Sequence, residues 1–258
     1  MNANASSQAI RNWLRNALYP GLDLHTRNRA SLKRYWKSGS RDVLDAGSGN
    51  GYFSWLAYRS GARVVGVNFD GAQVNKARDF LLGYRKADAA RLRFEQRSIY
   101  DLADESRGFD EIICFEVLEH LRHDEEVVRT FFKVLRPGGL LHLCCPNRLH
   151  PRHQAEVLDL EETGGHVRAG YTFDDFRALL EPAGFAIERE VGIGPRSVYL
   201  ADEALRRVRN RLGDLAALPL LPLVLPFVWL AAANPRVPFS LYVTAVKPPG
   251  ASRPGGHS

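Results

Sequence analysis

The chain has 258 residues, 45% of them apolar and 25% charged, which excludes a disordered or fibrous class and leaves material for one large core. The 35 Lys and Arg against 29 Asp and Glu give a formal charge of +6. The surplus is mostly arginine and forms no basic block interleaved with aromatics, so nucleic acid is not an expected partner.

"QAIRNWLRNAL" sets Ile10, Trp13, Leu14, Ala17 and Leu18 at helical spacing, and residues 1–40 are expected to form a helical cap. From Asp42 onward short β-rich runs alternate with helical stretches: "DVLDAG", a helix, "ARVVGV", a helix over 71–86, "LRFEQ", "FDEIICF", a helix over 124–135, and "GLLHLCC". Alternation of this kind predicts an α/β domain with a mostly parallel sheet covered by helices on both faces. A helix over 172–180, stopped by Pro182 and Gly184, leads to a strand at "FAIEREV", and "FSLYVTAVK" is the last strand. Residues 41–247 then make up the domain, with an Arg-rich and apolar insertion over 192–237 and a disordered tail over 248–258. Cys144 and Cys145 are adjacent and Cys114 sits in an apolar run, a spacing of neither a disulfide framework nor a metal site; all three are expected as buried strand residues. No basic region followed by an apolar core and a small-residue cleavage site opens the chain, so the cytoplasm is the expected compartment.

"VLDAGSGNGYF" places Gly47, Gly49 and Gly51 where the first strand turns into the first helix. Backbone there can approach a ligand closely and offer N–H groups to a carboxylate or phosphate. The spacing is not that of a dinucleotide site, because the third glycine comes one residue early and Tyr52 takes its place.

Four runs, "VLDAGSGNG", "VVGVNFDGAQVNKA", "FDEIICFEVLEHL" and "VLRPGGLLHLCCPN", in this order resemble the successive signatures of the class I S-adenosylmethionine-dependent methyltransferases. The resemblance covers residues 42–146 and implies a Rossmann-like fold with a seven-stranded sheet and S-adenosylmethionine as cofactor. It implies that Asp45 helps hold the ammonium of the methionine part while Gly47, Ser48, Gly49 and Gly51 pack against its carboxylate. The acid that usually takes the ribose hydroxyls at the end of the second strand is here Asn68, followed by Phe69 and Gln73. An amide still offers an acceptor and two donors, without charge assistance. Ser98 and Ile99 are carried over as backbone and apolar contacts, and Glu116 as a residue beside the cofactor.

Methyl transfer from a sulfonium is an in-line displacement, so the protein must align reactants and exclude water. A hydroxyl acceptor also has to lose a proton. "FEVLEHL" follows the fourth strand, and on a helical turn Glu116, Glu119 and His120 can point to one side. The run resembles the ubiquinone-pathway and small-RNA 2'-O-methyltransferases, in which such a set with a later histidine, here His166 as the counterpart, holds a divalent metal. Metal-free relatives carry the same run. A histidine base or acceptor-positioning role is therefore preferred over a metal, with His120, His166, Glu119 and Tyr171 as the catalytic candidates and no metal ligand assigned. His150 and His153 could serve instead, although surface-loop histidines are the commoner explanation.

Residues 215–233 carry no charge and contain Pro219, Pro222 and Pro226. The length would allow a membrane span. Both flanking strands belong to one sheet in this fold, however, so the chain must leave and return on the same side, and the prolines break a straight helix. What remains is a hairpin lying in a membrane interface or a lid over an apolar pocket. With Arg206, Arg207, Arg209 and Arg211 just upstream, peripheral contact with an anionic membrane, at its inner face, is the expectation. The expected reaction is transfer to oxygen of a lipid-like or amphipathic small molecule: a quinone, isoprenoid, polyketide or lipid-linked sugar. Transfer to carbon of a sterol-like acceptor, RNA methylation, and a cofactor-binding membrane-associated protein without activity are the alternatives.

Overall fold

The structure, a computed structural model, describes residues 19–155, 158–159, 161–162, 164–231 and 233–250. The helix expected over 8–18 and the tail from 251 on lie outside the described residues.

Among the described residues seven strands form one sheet: β1 (Asp42–Ala46), β2 (Arg63–Asn68), β3 (Leu92–Gln96), β4 (Phe109–Phe115), β5 (Leu135–Pro146), β6 (Ala186–Ile193) and β7 (Ser240–Val246). Their order is β3-β2-β1-β4-β5-β7-β6, and β7 runs antiparallel to both neighbours while the other pairings are parallel. The order reverses between β1 and β4, which opens a crevice at the carboxyl ends of those strands. β1 and β4 read as near-continuous apolar runs because they are covered on both faces: Val43, Leu44, Ile112 and Ile113 are all buried.

Helix α1 (Leu24–Arg29) opens the described chain and continues into a 3-10 turn to Tyr35. Leu32 and Trp36 enter the core on the same side of the sheet as Val43 and Val64, so the last third of the expected N-terminal cap is built into the domain. Glu111, buried in β4, ties it down by accepting from the Lys37 N–H, from the Arg41 guanidinium and from His142. Helix α2 (Tyr52–Arg59) follows the glycine loop, and α3 (Gly71–Ala77) continues as a wider π-type turn through Tyr84, accounting for the long helix expected there. Helix α4 (Asp124–Val134) buries Val127, Val128, Phe131 and Phe132, and its first turn carries Asp124, Glu125 and Glu126 at the positive end of the dipole.

The short turn α5 (Pro151–Gln154) follows β5, and α6 (Phe173–Leu180) starts on a capping box between Thr172 and Asp175. The insertion between β6 and β7 is helical: α7 (Arg196–Leu212), α8 (Asp214–Ala217), a 3-10 turn through Leu218–Leu220, and α9 (Leu221–Trp229). Among the described residues no helix is long and apolar enough to cross a membrane. The insertion folds back on α1, forming a separate apolar cluster with Leu22, Leu24, Val198, Leu205 and Leu221. All three cysteines are buried and unpaired.

Candidate functional site

A cavity of about 690 Å³ lies at the switch point of the sheet, within the size range of small-molecule sites. One wall is the loop after β1. Gly47 and Gly49 line it with φ of 83° and 50°, a left-handed backbone that favours glycine. The N–H groups of Gly47 and Ser48 both donate to the Val67 carbonyl at 2.9 Å, which pins the loop to the end of β2. A Cβ on Gly47 would collide with the Val117 side chain, so the loop can lie this close to the segment after β4 only without one.

The expected cofactor residues fall into two layers. Gly47, Gly49, Asn68, Phe69, Gln73, Ser98, Ile99 and Glu116 line the cavity, whereas Asp45, Ser48 and Gly51 do not. Asp45 is fully buried beneath the loop, where its carboxylate accepts from the Ser54 hydroxyl at 2.5 Å. Burial pushes this carboxyl up to about 6, with the Ser54 hydrogen bond opposing the shift. Gly51 serves packing: it starts α2 at φ 80°, and a Cβ there would meet Leu81 and Phe94 at 2.8 and 2.9 Å. Ser48 is buried, and its hydroxyl has no hydrogen-bond partner among the described residues.

At the end of β2, the side-chain Oδ1 of Asn68 accepts from the Asp70 N–H at 2.8 Å. That leaves the amide N–H groups to face a ligand, a donor where the family's usual acid would accept. Asp70 also lines the cavity and caps α3 by accepting from Ala72 and Gln73. The sequence signal for it was present, an acid two positions after Asn68 at a helix start. Phe69 is 73% exposed and presents a flat apolar ring to the cavity.

The adjoining wall is the segment after β4, which is not the single helical face expected. Glu116 has φ 55° and donates its N–H to the Cys144 carbonyl, and a 3-10 turn spans only Leu118–His120. The left-handed step turns Glu116 away from its neighbours. Its carboxylate pairs with Arg29 of α1 at 2.6 Å, and the Ser240 hydroxyl approaches at 3.5 Å. Burial pushes the Glu116 carboxyl up and Arg29 opposes it. Nothing in the local pattern announced Arg29.

Glu119, His120 and His166 do come together, with one potential ligand atom from each within 4.8 Å of the others. The His120 and His166 rings meet edge-on with centroids 4.7 Å apart. His120 Nδ1 lies 2.8 Å from the Gly165 carbonyl; a carbonyl only accepts, so Nδ1 is the donor of this pair. Nε2 is 4.0 Å from Glu119. Glu119 is fully buried, and among the described residues neither carboxylate oxygen finds a normal hydrogen bond, with the Cys145 thiol the weak donor nearby. Its carboxyl is pushed well above the usual range by burial and by the Glu116 charge. A buried orphan carboxylate beside two imidazoles fits a divalent cation, and the three side chains that would hold it are these. Glu116, expected to join them, is committed to Arg29.

The remaining candidates stand elsewhere. Tyr171 is not among the cavity-lining residues. Its ring stacks on Phe176 in the core, and its hydroxyl donates to Asp124 at 2.7 Å, a packing and anchoring position. His150 and His153 are buried and not surface-loop residues: His150 caps α5 by accepting from the Arg152 N–H, and His153 Nε2 donates to the Phe239 carbonyl at 3.2 Å. Tyr100 and Glu162, joined by a 3.0 Å hydrogen bond, also line the cavity.

Over residues 21–190 the chain matches a family model described as a methyltransferase domain. It is 31% identical over 156 residues to a protein of Mycolicibacterium smegmatis named "Probable S-adenosylmethionine-dependent methyltransferase", covering 57% of this chain and 58% of that protein's length. It is 34% identical over 196 residues to a ubiquinone biosynthesis O-methyltransferase of Xanthomonas oryzae, covering 74% and 80%. The fold matches that of the cyclopropane synthase MmaA2 from Mycobacterium tuberculosis with a TM-score of 0.58 at 17% identity, over 86% and 83% of the two chains.

Proposed function

The chain belongs to the class I S-adenosylmethionine-dependent methyltransferases, and on that premise we propose that it transfers the methyl group to an oxygen of a lipid-like or amphipathic small molecule. A quinone, isoprenoid, polyketide or lipid-linked sugar has the required chemistry. The observation that carries this reading is that His120, its Nδ1 held on the Gly165 carbonyl, lines the same cavity as the glycine loop and Asn68. The likeness to ubiquinone-pathway O-methyltransferases supports oxygen as the acceptor atom.

In this reading Gly47 and Gly49 take the methionine carboxylate, Asp45 provides negative charge below the ammonium, and the Asn68 amide donates to the ribose. Phe69 and Ile99 flank the adenine. The acceptor oxygen attacks the sulfonium methyl from the side opposite sulfur; the C–O bond forms as the C–S bond breaks, and sulfur keeps the electron pair. The acceptor's proton goes to His120 Nε2, with Gly165 holding the ring in the correct tautomer. Glu162 and Tyr100, which also line the cavity, help exclude water.

A second reading rests on the orphan carboxylate of Glu119. A divalent cation held by Glu119, His120 and His166 would polarise the acceptor oxygen and lower its pKa. In either case the protein must expose the acceptor oxygen to the His120 side of the cavity.

The test uses methyl-labelled cofactor, a bacterial extract, and partition of the product between organic and aqueous phases. Label in the organic phase is expected. Label confined to water would rule out a lipid-like acceptor. His120→Ala should lower turnover by about 10²- to 10⁴-fold with cofactor affinity unchanged, and full turnover in both His120→Ala and His166→Ala would remove the histidines from the reaction.

A further inference from the structure

We propose that the outer face of the β6–β7 insertion docks the protein on an anionic lipid bilayer. Helix α9 is apolar on two sides. Leu221 and Val228 point inward and are buried against Leu24, Val198 and Leu205. Leu223, Phe227 and Leu230 follow one another at helical spacing on the outside, with Leu223 69% and Leu230 84% exposed, and Trp229 stands beside them at 74%. An inner face already satisfied by packing leaves the outer one as surplus apolar surface, which monomeric proteins seldom present in one place.

The helix has nine residues with Pro226 inside it, too short to span a bilayer and suited to lie in its interface, where tryptophan is favoured. The charge around it fits an anionic surface. Residues 196–237 contain six arginines and three acids, a net charge of +3. The acids are engaged: Asp202 accepts from the Leu24 N–H, Glu203 pairs with Arg206 and Arg207, and Asp214 pairs with Arg209. The apolar stretch itself holds no acid. A second copy of the chain would bring two such positive faces together, whereas anionic headgroups complement them.

Topology places this face where it is useful. β6 and β5 both run antiparallel to β7, so β6 ends on the same sheet edge as β1, β4 and β5. The insertion therefore emerges at the edge that carries the cavity. Helix α1 links the two, with its amino end on Asp202 of α7 and Arg29 at its carboxyl end on Glu116 of the cavity wall. Docking needs neither cofactor nor acceptor, so it stands or falls separately from the proposed reaction.

The experiment is flotation of the full chain with phosphatidylcholine vesicles, with and without phosphatidylglycerol, at low and high salt. The protein should float with the anionic vesicles and lose affinity as salt rises. Leu223→Ser with Leu230→Ser, both at exposed positions, should weaken the partition by at least about tenfold while cofactor binding and melting temperature stay unchanged. Arg207→Glu with Arg211→Glu should abolish the preference for anionic vesicles. No flotation, or flotation indifferent to both pairs of substitutions, overturns the proposal. A dimer in solution that the two serine substitutions dissociate, with no flotation by the parent protein, would assign the face to a second copy.

Discussion

Arg29 and Glu116 meet at 2.6 Å across the cavity wall, the arginine side chain 7% exposed and the glutamate 26%. One comes from the first described helix and the other from the left-handed step after β4. Their pairing fixes the distance between the α1 layer and the edge of the sheet. Because both charges are largely withdrawn from water, removing one leaves the other uncompensated. Arg29→Met should cost about 3–5 kcal/mol in urea unfolding, whereas Arg29→Met with Glu116→Gln should recover a large part of that loss. Equal losses in the single and double variants would mean that the arginine contributes through packing and not through charge.

Asp45 makes a prediction about pH. Its carboxyl is pushed from the ordinary 3.8 up to about 6 by burial. The folded state therefore keeps this proton over a range in which the unfolded chain has released it. The contribution of the protonated form is fully present below 3.8 and is lost as pH rises through about 6, a difference on the order of 3 kcal/mol. Asp45→Asn keeps an acceptor for Ser54 and has no charge to bury, so its melting temperature should exceed the parent's at pH 7 and match it more closely near pH 4. Cofactor affinity should move the other way: it should weaken as the parent is acidified through pH 6, and be low at every pH in the variant. Melting curves and cofactor titrations over pH check both signs.

What the sequence made legible was local. The strand run from Val43 to Asp45, the glycine turn and the β-rich pieces with their intervening helices each state their structure within a few residues, and their order dictates a doubly wound sheet. The adjacency of His120 and His166 was also readable, through resemblance to a family with the same run. What was hidden depends on one backbone angle or on distant contacts. The φ of 55° at Glu116 redirects a carboxylate that helical spacing would have put beside Glu119. Arg29 could not be paired with it from sequence, since nothing near Arg29 differs from an ordinary surface helix. Tyr171, His150 and His153 looked accessible because loops usually are, but here Phe176 of α6 packs on Tyr171, Tyr199 of α7 packs on His150, and Phe239 packs on both histidines.

Asn68 offers a gain-of-function test. Its oxygen is already taken by the Asp70 N–H, and an aspartate could keep that bond with one oxygen and present the other to the ribose hydroxyls. Charge-assisted hydrogen bonds are roughly twice as strong as neutral ones, while the nearby Asp70 takes back part of the gain through repulsion. Asn68→Asp should therefore tighten cofactor binding by about five- to tenfold in calorimetry. Unchanged affinity would mean that the ribose is held from Asp70 or Gln73 and that the exchange of acid for amide at this position carries no cost.

Glu119 separates the two readings of the acceptor side. Its carboxyl is fully buried, has no normal hydrogen bond to the described residues, and is held protonated well past the usual range by burial and by the Glu116 charge. An apolar residue of similar volume should do better there, so Glu119→Leu should raise the stability of the metal-free protein by about 1–3 kcal/mol. If the site takes a divalent cation, the ion must displace that proton, because a neutral carboxyl is a poor ligand. The parent should then melt higher with added magnesium or manganese and release about one proton per ion, read as a buffer-dependent heat in calorimetry, and Glu119→Leu should show neither effect. If His120 works as a base without metal, added cation should leave the melting temperature alone, and Glu119→Leu should keep cofactor affinity and most of its turnover, because the histidine's tautomer is set by Gly165. The two readings thus predict opposite responses from the same pair of proteins.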